Sequence, residues 1–231
     1  MIVIATNNSC VERICRGENI PRKNFLDSVL KSINNIDYNG KVLVVDTGST
    51  DAESIDFLEL LKEKEFNFNL KIDRITQSFP MNAYMYAFEN YDCDEYIFIQ
   101  DSIEIKNKEF IEVINNSLNE NNLICWVVCS TCGFDTEEQK QFVVNATGGS
   151  VYDKLIFGPM FFGKKNIIKK LFNQIKIKPS IKSEESGMER GLGVLCKMNN
   201  IDIIPIDGEY NFYAMVNNSY KYITKYHADR K

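Results

Sequence analysis

Residues 41–51 read Lys-Val-Leu-Val-Val-Asp-Thr-Gly-Ser-Thr-Asp, and this stretch decides the fold. Its four consecutive apolar residues, three of them β-branched, predict a short buried strand, which an acid, a glycine and two hydroxyls then end. The next segment has Ile55, Leu58 and Leu61 on one face and predicts a helix. A strand, a tight turn and a helix in this order indicate a parallel sheet, which binds its ligands outside the carboxyl ends of its strands.

The turn offers several polar groups with separate uses. Asp46 is expected to project from the strand end as an acceptor for an N–H or hydroxyl group, either within the turn or from a ligand. Gly48 allows a backbone turn that a Cβ would obstruct. Ser49, Thr50 or Asp51 is suited to cap the following helix, and for Asp51 we favour the cap.

The first half of the chain alternates strands with helices, which predicts a parallel α/β sheet with helices on both faces. The first strand, 1–5, is followed by the polar residues Thr6 and Asn7, again at the predicted ligand edge. The remaining predicted elements are a helix from Pro21, a helix at 51–65, a strand at 68–73, a helix from Pro80, a strand at 95–99 and a helix at 107–118.

After residue 122 the pattern changes. Apolar runs at 123–129, 141–144 and 155–162 lie close together with fewer helices between them, which predicts a mixed or antiparallel extension of the sheet. Helices at 164–173 and 187–198 and a last strand at 201–206 are expected to follow. Since no repeat or low-complexity linker interrupts the chain, we predict a single domain over residues 1–231.

Composition narrows the classes of function. A net charge of −5 argues against a nucleic-acid partner. We see no signal peptide and no apolar run near the roughly 20 residues that span a bilayer, so we expect a cytoplasmic protein. The seven cysteines are an odd number, and several lie in apolar stretches, which suits buried free thiols in a reducing cytosol. Cys129-x-x-Cys132, with Cys125 nearby, hints at metal or redox chemistry, but no fourth ligand is close, so we favour core positions.

Two motifs together carry a resemblance to a known family. Residues 46–51 match the D-x-G-S-x-D turn of GT-A glycosyltransferases, most closely the inverting family 2. Asn82 at a predicted helix start, the strand at 95–99 and then Gln100-Asp101-Ser102 resemble that fold's order of helix, strand and D-x-D motif. Further on, residues 157–165 resemble its Gly-aromatic strand and basic helix start, and 183–190 resemble the acidic helix start that supplies the catalytic base.

The resemblance implies a glycosyltransferase that moves a sugar from a nucleotide-diphosphate sugar to a hydroxyl of a glycan or other acceptor. Residues 1–105 would form the nucleotide-binding half, and 106–231 the acceptor side with the C-terminal tail. Glu189 would be the general base, with Glu185 and then Glu184 as substitutes. A Mn²⁺ or Mg²⁺ ion would be held by Asp101 and His227. The residues expected to bind the nucleotide sugar are Thr6, Asn7, Asp46, Gly48, Ser49, Asn82, Asp101 and Arg230.

The chain also departs from the family pattern. The D-x-D position has one acid, and the usual Glu-Asp pair near the second-half helix is absent. Each of these residues also has a structural interpretation. Asp101 could be a turn acceptor or helix cap, and Glu189 could be a first-turn acid favoured by the helix dipole. The residues His227, Lys225 and Arg230 could belong to a solvated tail. Two alternatives stay open: a non-catalytic nucleotide-sugar binder of the same fold and a nucleotidyltransferase, although no phosphate-binding glycine loop supports the latter.

Overall fold

A computed structural model of the chain describes residues 1–7, 12–15, 18–158, 160–211, 217 and 219–226. At its centre is a seven-stranded sheet, with strands in the order β12-β8-β11-β6-β1-β4-β5. The strands in the described residues are β1 (Ile2–Thr6), β2 (Glu12–Cys15), β3 (Glu18–Pro21), β4 (Lys41–Asp46), β5 (Asn69–Arg74), β6 (Glu95–Gln100), β7 (Ile103–Ile105), β8 (Asn122–Cys125), β9 (Val128–Cys129), β10 (Leu155–Ile156), β11 (Phe161–Lys164), β12 (Asp202–Pro205) and β13 (Ile223–Lys225). The helices there are α1 (Arg22–Asn35), α2 (Ala52–Lys62), α3 (Pro80–Asn90), α4 (Glu109–Ser117), α5 (Glu137–Thr147), α6 (Lys165–Phe172) and α7 (Lys182–Met198).

The strand directions confirm the predicted fold class. Strands β5, β4, β1 and β6 are parallel neighbours. Strand β11 is antiparallel to both β6 and β8, and β12 is parallel to β8. The second half therefore adds a mixed extension to a parallel sheet, as the sequence predicts.

Alternating side chains of the central strand pack into two cores, one on each face of the sheet. In β1, Val3 and Ala5 belong to the core that contains Tyr84 of α3, whereas Ile2 and Ile4 belong to the core on the other face. All of these side chains are buried. This explains why the strands read as continuous apolar runs rather than as alternating ones, since both faces of a parallel sheet are covered.

Short paired strands outside the main sheet were not predicted. They are β2 with β3, β9 with β10, and β13 with β7, each pair antiparallel. The β13–β7 pair matters most for the site because it brings residues 223–225 beside the end of β6.

Two predictions in the second half are wrong. The apolar run at 141–144 is not sheet but lies inside α5, whose N-cap Thr136 accepts a hydrogen bond from the Gln139 backbone. The helix predicted at 187–198 begins at Lys182, so Glu189 lies well inside it. Gly193 in that helix packs against the Lys154 carbonyl, where an added Cβ would come within 2.2 Å of the oxygen, so it is a close-packing position.

The cysteine prediction also needs correction. Cys129 and Cys132 form a disulfide, while Cys93, Cys125 and Cys196 are free. The disulfide removes support for the predicted reducing cytosol, because disulfides are rare in that compartment. Among the helices that the structure describes, none combines the length and the apolar content needed to cross a membrane.

Candidate active site

The turn after β4 is organised by the carboxylate of Asp46. This side chain is fully buried, and its Oδ1 accepts a hydrogen bond from the Ser49 hydroxyl at 2.6 Å. Arg74, at the end of β5, donates from Nε to Asp46 at 3.2 Å and from Nη2 to the Ser49 carbonyl at 2.6 Å. Between them Gly48 has a φ of +103°, which side-chain-bearing residues rarely adopt. Asp46 is thus an acceptor for an N–H and a hydroxyl within the turn, and its contact with a ligand stays a prediction.

Asp51 at the end of the turn is the N-cap of α2, as predicted. Its Oδ1 accepts a hydrogen bond from the Ser54 backbone nitrogen at 2.8 Å. This satisfies one of the helix's first N–H groups and puts a negative charge at the positive end of the helix dipole. Asp51 therefore has a structural role that is separate from the predicted ligand edge.

The end of β1 connects the two acids of the predicted nucleotide site. Thr6 lies opposite Asp46 in the parallel register, and its hydroxyl donates to Oδ2 of Asp101 at 2.8 Å. Asn7 Nδ2 lies 3.5 Å from the Thr47 carbonyl oxygen. The structure thus brings Thr6, Asn7, Asp46 and Asp101 together at the carboxyl edge of the sheet, as the strand ends predict.

A buried lysine lies at the motif predicted to bind metal. Strand β13 sets Lys225 opposite Ile103, the first residue of β7. The Lys225 ammonium donates hydrogen bonds to Oε1 of Gln100 and, at 2.7 Å, to the Ser102 hydroxyl. Lys225 is only 8% exposed, so its interpretation as a solvated tail residue is wrong. Its contacts are with the residues on either side of Asp101, which brings a positive charge to the D-x-D position.

Of the three acids considered for the general base, Glu184 is engaged in capping α7. Its Oε2 accepts hydrogen bonds from the Ser180 backbone nitrogen at 2.7 Å, from the Ser180 hydroxyl at 2.8 Å and from the Ile181 backbone nitrogen at 3.2 Å. Glu184 is therefore the first-turn acid of this helix. The same role is wrong for Glu189, which lies farther along α7.

Glu189, inside α7, remains partly exposed. Its Oε1 accepts a hydrogen bond from the Gly158 backbone nitrogen at 3.2 Å, and 18% of its side chain is exposed. Burial raises the pKa of Glu189 to about 7, against the opposing effects of Arg190, Lys182 and Lys225. Gly158 precedes β11, whose first residue, Phe161, pairs with Phe98 near the carboxyl end of β6, so Glu189 lies at the same edge of the sheet as the D-x-D position.

Glu185, one turn earlier, is buried beneath the start of α3. Its Oε1 accepts a hydrogen bond from the Met81 backbone nitrogen at 3.2 Å, and it is 2% exposed. Burial raises the pKa of Glu185 to about 7, and the Met81 hydrogen bond opposes that shift. The Glu185 carboxyl therefore joins α7 to α3, and it has much less access to solvent than Glu189.

Three buried polar atoms near α3 have no hydrogen-bond partner among the described residues: Asn82 Oδ1, Tyr84 OH and Glu185 Oε2. The Asn82 amide nitrogen donates to the carbonyls of Ser78 at 2.5 Å and Pro179 at 3.0 Å, so this side chain joins the start of α3 to the segment before α7. Burial raises the pKa of Tyr84, with further contributions from Glu185 and Asp101. Asn82 is 3% exposed, and its two hydrogen bonds hold the start of α3 to the segment before α7.

The predicted metal site is only partly described. His227 and Arg230 lie outside the described residues. Within the described part of the chain, no group of three or more His, Cys, Asp or Glu side chains is arranged to hold a metal ion. Asp101 itself bonds to Thr6, and its neighbours bond to Lys225.

Sequence reasoning missed several residues of this region. Arg74 had a usable signal, because it ends a predicted strand at the ligand edge. Arg190 had none, since it lies within a helix, where it donates to the Gly133 carbonyl at 3.1 Å and to Asp135 at 3.0 Å. Tyr84 had none either, because a tyrosine in an apolar helix is equally typical of a core position.

Comparisons with known proteins agree on the architecture. No protein-family model matches the chain, and no curated protein matches it. Among solved structures, S. aureus TarS 1–349 in complex with UDP-GlcNAc is similar over 100% of this chain and 58% of its own, with a TM-score of 0.54 and 14% sequence identity. The mannosyltransferase PcManGT from Pyrobaculum calidifontis, in complex with GDP-Man and Mn²⁺, is similar over 90% of this chain and 55% of its own, with a TM-score of 0.57 and 13% identity.

The chain therefore has the GT-A fold of glycosyltransferases, as predicted. It spans a little over half the length of these two similar structures. At identities of 13–14% the likeness shows the fold alone, so membership of family 2 stays a prediction.

Proposed function

We propose that the protein is a glycosyltransferase that moves a sugar from a nucleotide-diphosphate sugar to an acceptor hydroxyl, with inversion at the anomeric carbon. The supporting observation is the carboxylate of Glu189. It is a partly exposed acid at the ligand edge, held by the Gly158 N–H, with a pKa raised by burial to about 7. A general base is most effective when its pKa lies near the working pH.

In the proposed reaction the acceptor hydroxyl attacks the anomeric carbon directly. The new carbon–oxygen bond forms as the bond from that carbon to the diphosphate oxygen breaks, and its electron pair leaves with the nucleoside diphosphate. The hydroxyl proton passes to the carboxylate of Glu189. A single displacement needs one base and no protein nucleophile, which is why we propose inversion.

The donor would lie along the edge from the β4 turn to the end of β6. The base and ribose would lie against the residues of this edge, which are Thr6, Asn7, Asp46, Gly48 and Ser49. The Asp46 carboxylate is buried, so its contribution would be to hold the Ser49 turn and Arg74 in position unless the turn opens. Asn82, Asp101 and Arg230 complete the proposed donor site.

The residues at the D-x-D position do not fit a resident Mn²⁺ or Mg²⁺ ion. Asp101 is the single acid there, and an ammonium group contacts both flanking side chains. Hard divalent ions select clusters of oxygen ligands that carry negative charge, and a neighbouring cation repels them. PcManGT is in complex with Mn²⁺, whereas the reaction proposed for this protein uses no metal.

A second candidate function is a nucleotide-sugar binder without catalytic activity. The observation that favours it is the same single acid, Asp101, at a position where glycosyltransferases of this fold carry two. Such a protein would use the donor edge in the same way and leave Glu189 without a reaction to assist.

One experiment separates these functions. The protein would be incubated with a panel of UDP- and GDP-sugars, with and without simple glycan acceptors, while release of the nucleoside diphosphate is followed. We expect release that increases with acceptor. Intact donor together with a thermal shift would identify a binder, and pyrophosphate formed from a nucleoside triphosphate and a sugar phosphate would identify a nucleotidyltransferase. No binding and no turnover with any donor would contradict both proposals.

A further inference from the structure

The contacts of Lys225 give the site a feature that the proposed reaction has not used. Its ammonium group is buried and contacts the oxygen atoms of Gln100 and Ser102, which lie on either side of Asp101. Its strand, β13, pairs with β7 directly after the motif. Two independent features of the fold, a backbone strand pair and a pair of side-chain hydrogen bonds, therefore fix this cation in place.

Burying an ammonium group is costly unless hydrogen bonds and charges around it compensate. The oxygens of Gln100 and Ser102 supply hydrogen bonds, and the Asp101 carboxylate lies between them in sequence. A site with two carboxylates and a divalent ion has no net charge, and neither does a site with one carboxylate and one ammonium. The exchange of an acid for a neutral residue in the motif and the presence of Lys225 thus balance each other.

We propose that the Lys225 ammonium is the fixed cation that binds the diphosphate of the donor, and that the protein uses no divalent metal for this purpose. The inference rests on the proposed function, since it assigns the ligand class of the same site. In the transfer step the ammonium would stabilise the negative charge that develops on the leaving nucleoside diphosphate. It gains and loses no atoms, so the step needs no additional reactant.

The pKa of Glu189 is consistent with a positive charge at Lys225. Lys225 is among the groups that oppose the burial-driven rise in the pKa of Glu189. A positive charge near both groups would lie at the edge of the site where the diphosphate departs and the acceptor hydroxyl loses its proton.

Calorimetric titration of residues 1–231 with UDP and with GDP tests the proposal. Wild-type protein should bind one of these nucleotides equally well in excess EDTA and in Mn²⁺. Lys225→Met keeps the side-chain length and removes the charge, so it should weaken diphosphate binding roughly 10- to 100-fold, the range for losing a hydrogen bond to a charged group. Uridine or guanosine, which lacks the diphosphate, should bind both proteins alike.

Two further variants serve as controls. Lys225→Arg keeps the positive charge and should retain most of the affinity. Lys221→Met removes a lysine from the same segment whose ammonium pairs with Glu109 on the surface, and it should bind the nucleotide like wild type. A circular dichroism spectrum and a melting curve of each variant show that it is folded. If Lys225→Met is unfolded, two measurements still test the proposal: the comparison of EDTA with Mn²⁺ on wild type, and the nucleotide affinity of Lys225→Arg.

Nucleotide binding that requires Mn²⁺, or that survives Lys225→Met unchanged, would overturn the inference and leave the proposed function standing. If no nucleotide or nucleotide sugar binds in either EDTA or Mn²⁺, the proposed function itself fails and the inference fails with it. Transfer activity measured in EDTA gives a second reading, and activity that appears only after Mn²⁺ is added would also contradict a fixed ammonium.

Discussion

The two sides of the candidate site are held together over different distances along the chain. On the β4 side, Asp46 bonds to Ser49, three residues away, and to Arg74, 28 residues away. On the α7 side, the bonds of Glu189, Glu185 and Lys225 reach across 31, 104 and up to 125 residues. The first side is built from one turn and the neighbouring strand β5, whereas the bonds of Glu185 and Lys225 join elements that lie far apart in the chain.

This difference separates stability from chemistry. A local turn closes at small entropic cost and fixes its own residues. The long-range side brings together the charged groups that we propose to act on the donor and acceptor. We therefore expect changes on the α7 side to alter activity most, and changes on the β4 side to alter mainly stability and nucleotide binding.

The largest effect is expected for Glu189→Gln. Removing a general base typically slows a reaction by about 10²–10⁴-fold, and the amide keeps the size of the side chain. Donor binding should persist, because Glu189 is proposed to touch the acceptor proton. The rate would be measured as release of nucleoside diphosphate in the presence of acceptor.

The pH dependence sharpens this test. Since burial raises the pKa of Glu189 to about 7, wild-type kcat/KM should fall as pH decreases below that value, while the residual rate of the Gln variant should not follow the same curve. Glu184→Gln is the matched control, because Glu184 caps the same helix and should leave the rate near wild type. An unchanged rate in Glu189→Gln would transfer the role to Glu185.

The next effect is on stability: Glu185→Gln should stabilise the protein at high pH, whereas most substitutions destabilise a protein. The pKa of Glu185 is raised from 4.5 to about 7 in the folded state, so the folded protein holds this proton more tightly than the unfolded chain. Stability should therefore fall as pH rises through this window and remain lower above it. Glu185→Gln should recover up to about 3 kcal/mol at pH 8 and little at pH 4.

Urea unfolding of both proteins at the two pH values measures this difference. The Gln side chain can still accept the Met81 N–H bond, so packing is preserved. Transfer activity should remain. A Glu185→Gln protein that is inactive but folded would show that the buried acid, and not Glu189, is the base.

A smaller effect is expected for Asp46→Ala on the β4 side. The substitution removes the acceptor for the Ser49 hydroxyl and the partner of Arg74. Losing hydrogen bonds of a buried charged group should lower the free energy of unfolding by about 2–3 kcal/mol. Nucleotide binding should weaken because the turn is no longer fixed, as calorimetry at a temperature below the melting transition would show. Intact binding and an unchanged melting temperature would mean that the turn needs neither contact.

Asp51→Ala should have the smallest effect and serves as the counterpart of Asp46→Ala. Loss of an N-cap typically costs about 1 kcal/mol. Because Asp51 caps α2 through Ser54, nucleotide affinity should stay unchanged while the melting temperature falls slightly. A loss of affinity in this variant would show that Asp51 belongs to the donor site.

The sequence was informative where bonds are local. The strand–turn–helix at residues 41–61 could be predicted because β-branched residues, a glycine and a capping acid succeed one another within a few positions. The helix at Glu137–Thr147 was available from the same kind of signal, since Thr136 and Gln139 form an S/T-x-x-E/Q pattern and Gly148 follows with a positive φ. The three apolar residues Phe142 to Val144 were instead read as strand.

The position of Lys225 could not be predicted in that way. Near other basic residues, a lysine in a tyrosine-rich segment is typical of a solvated tail, and only the pairing of β13 with β7 buries it. Glu189 lies inside α7 and not at its start, because the helix begins at Lys182 rather than at residue 187, and Gly187 packs against the Gln139 side chain within it. Close packing between distant elements leaves no periodic trace in the sequence.

Strand β13 has three residues, and so does its partner β7. The side chains of this segment nevertheless belong to the core, since Ile223 is 2% exposed and lies in one cluster with Ile103 and Ile105. Opening the pair would therefore expose apolar surface as well as withdraw the Lys225 ammonium from the motif. Any ligand that contacts this ammonium would hold the pair closed, and the affinity of the site would include the closing equilibrium of β13 as a factor. On the proposed function, recognition of the nucleoside and retention of its diphosphate would thus depend on different parts of the fold.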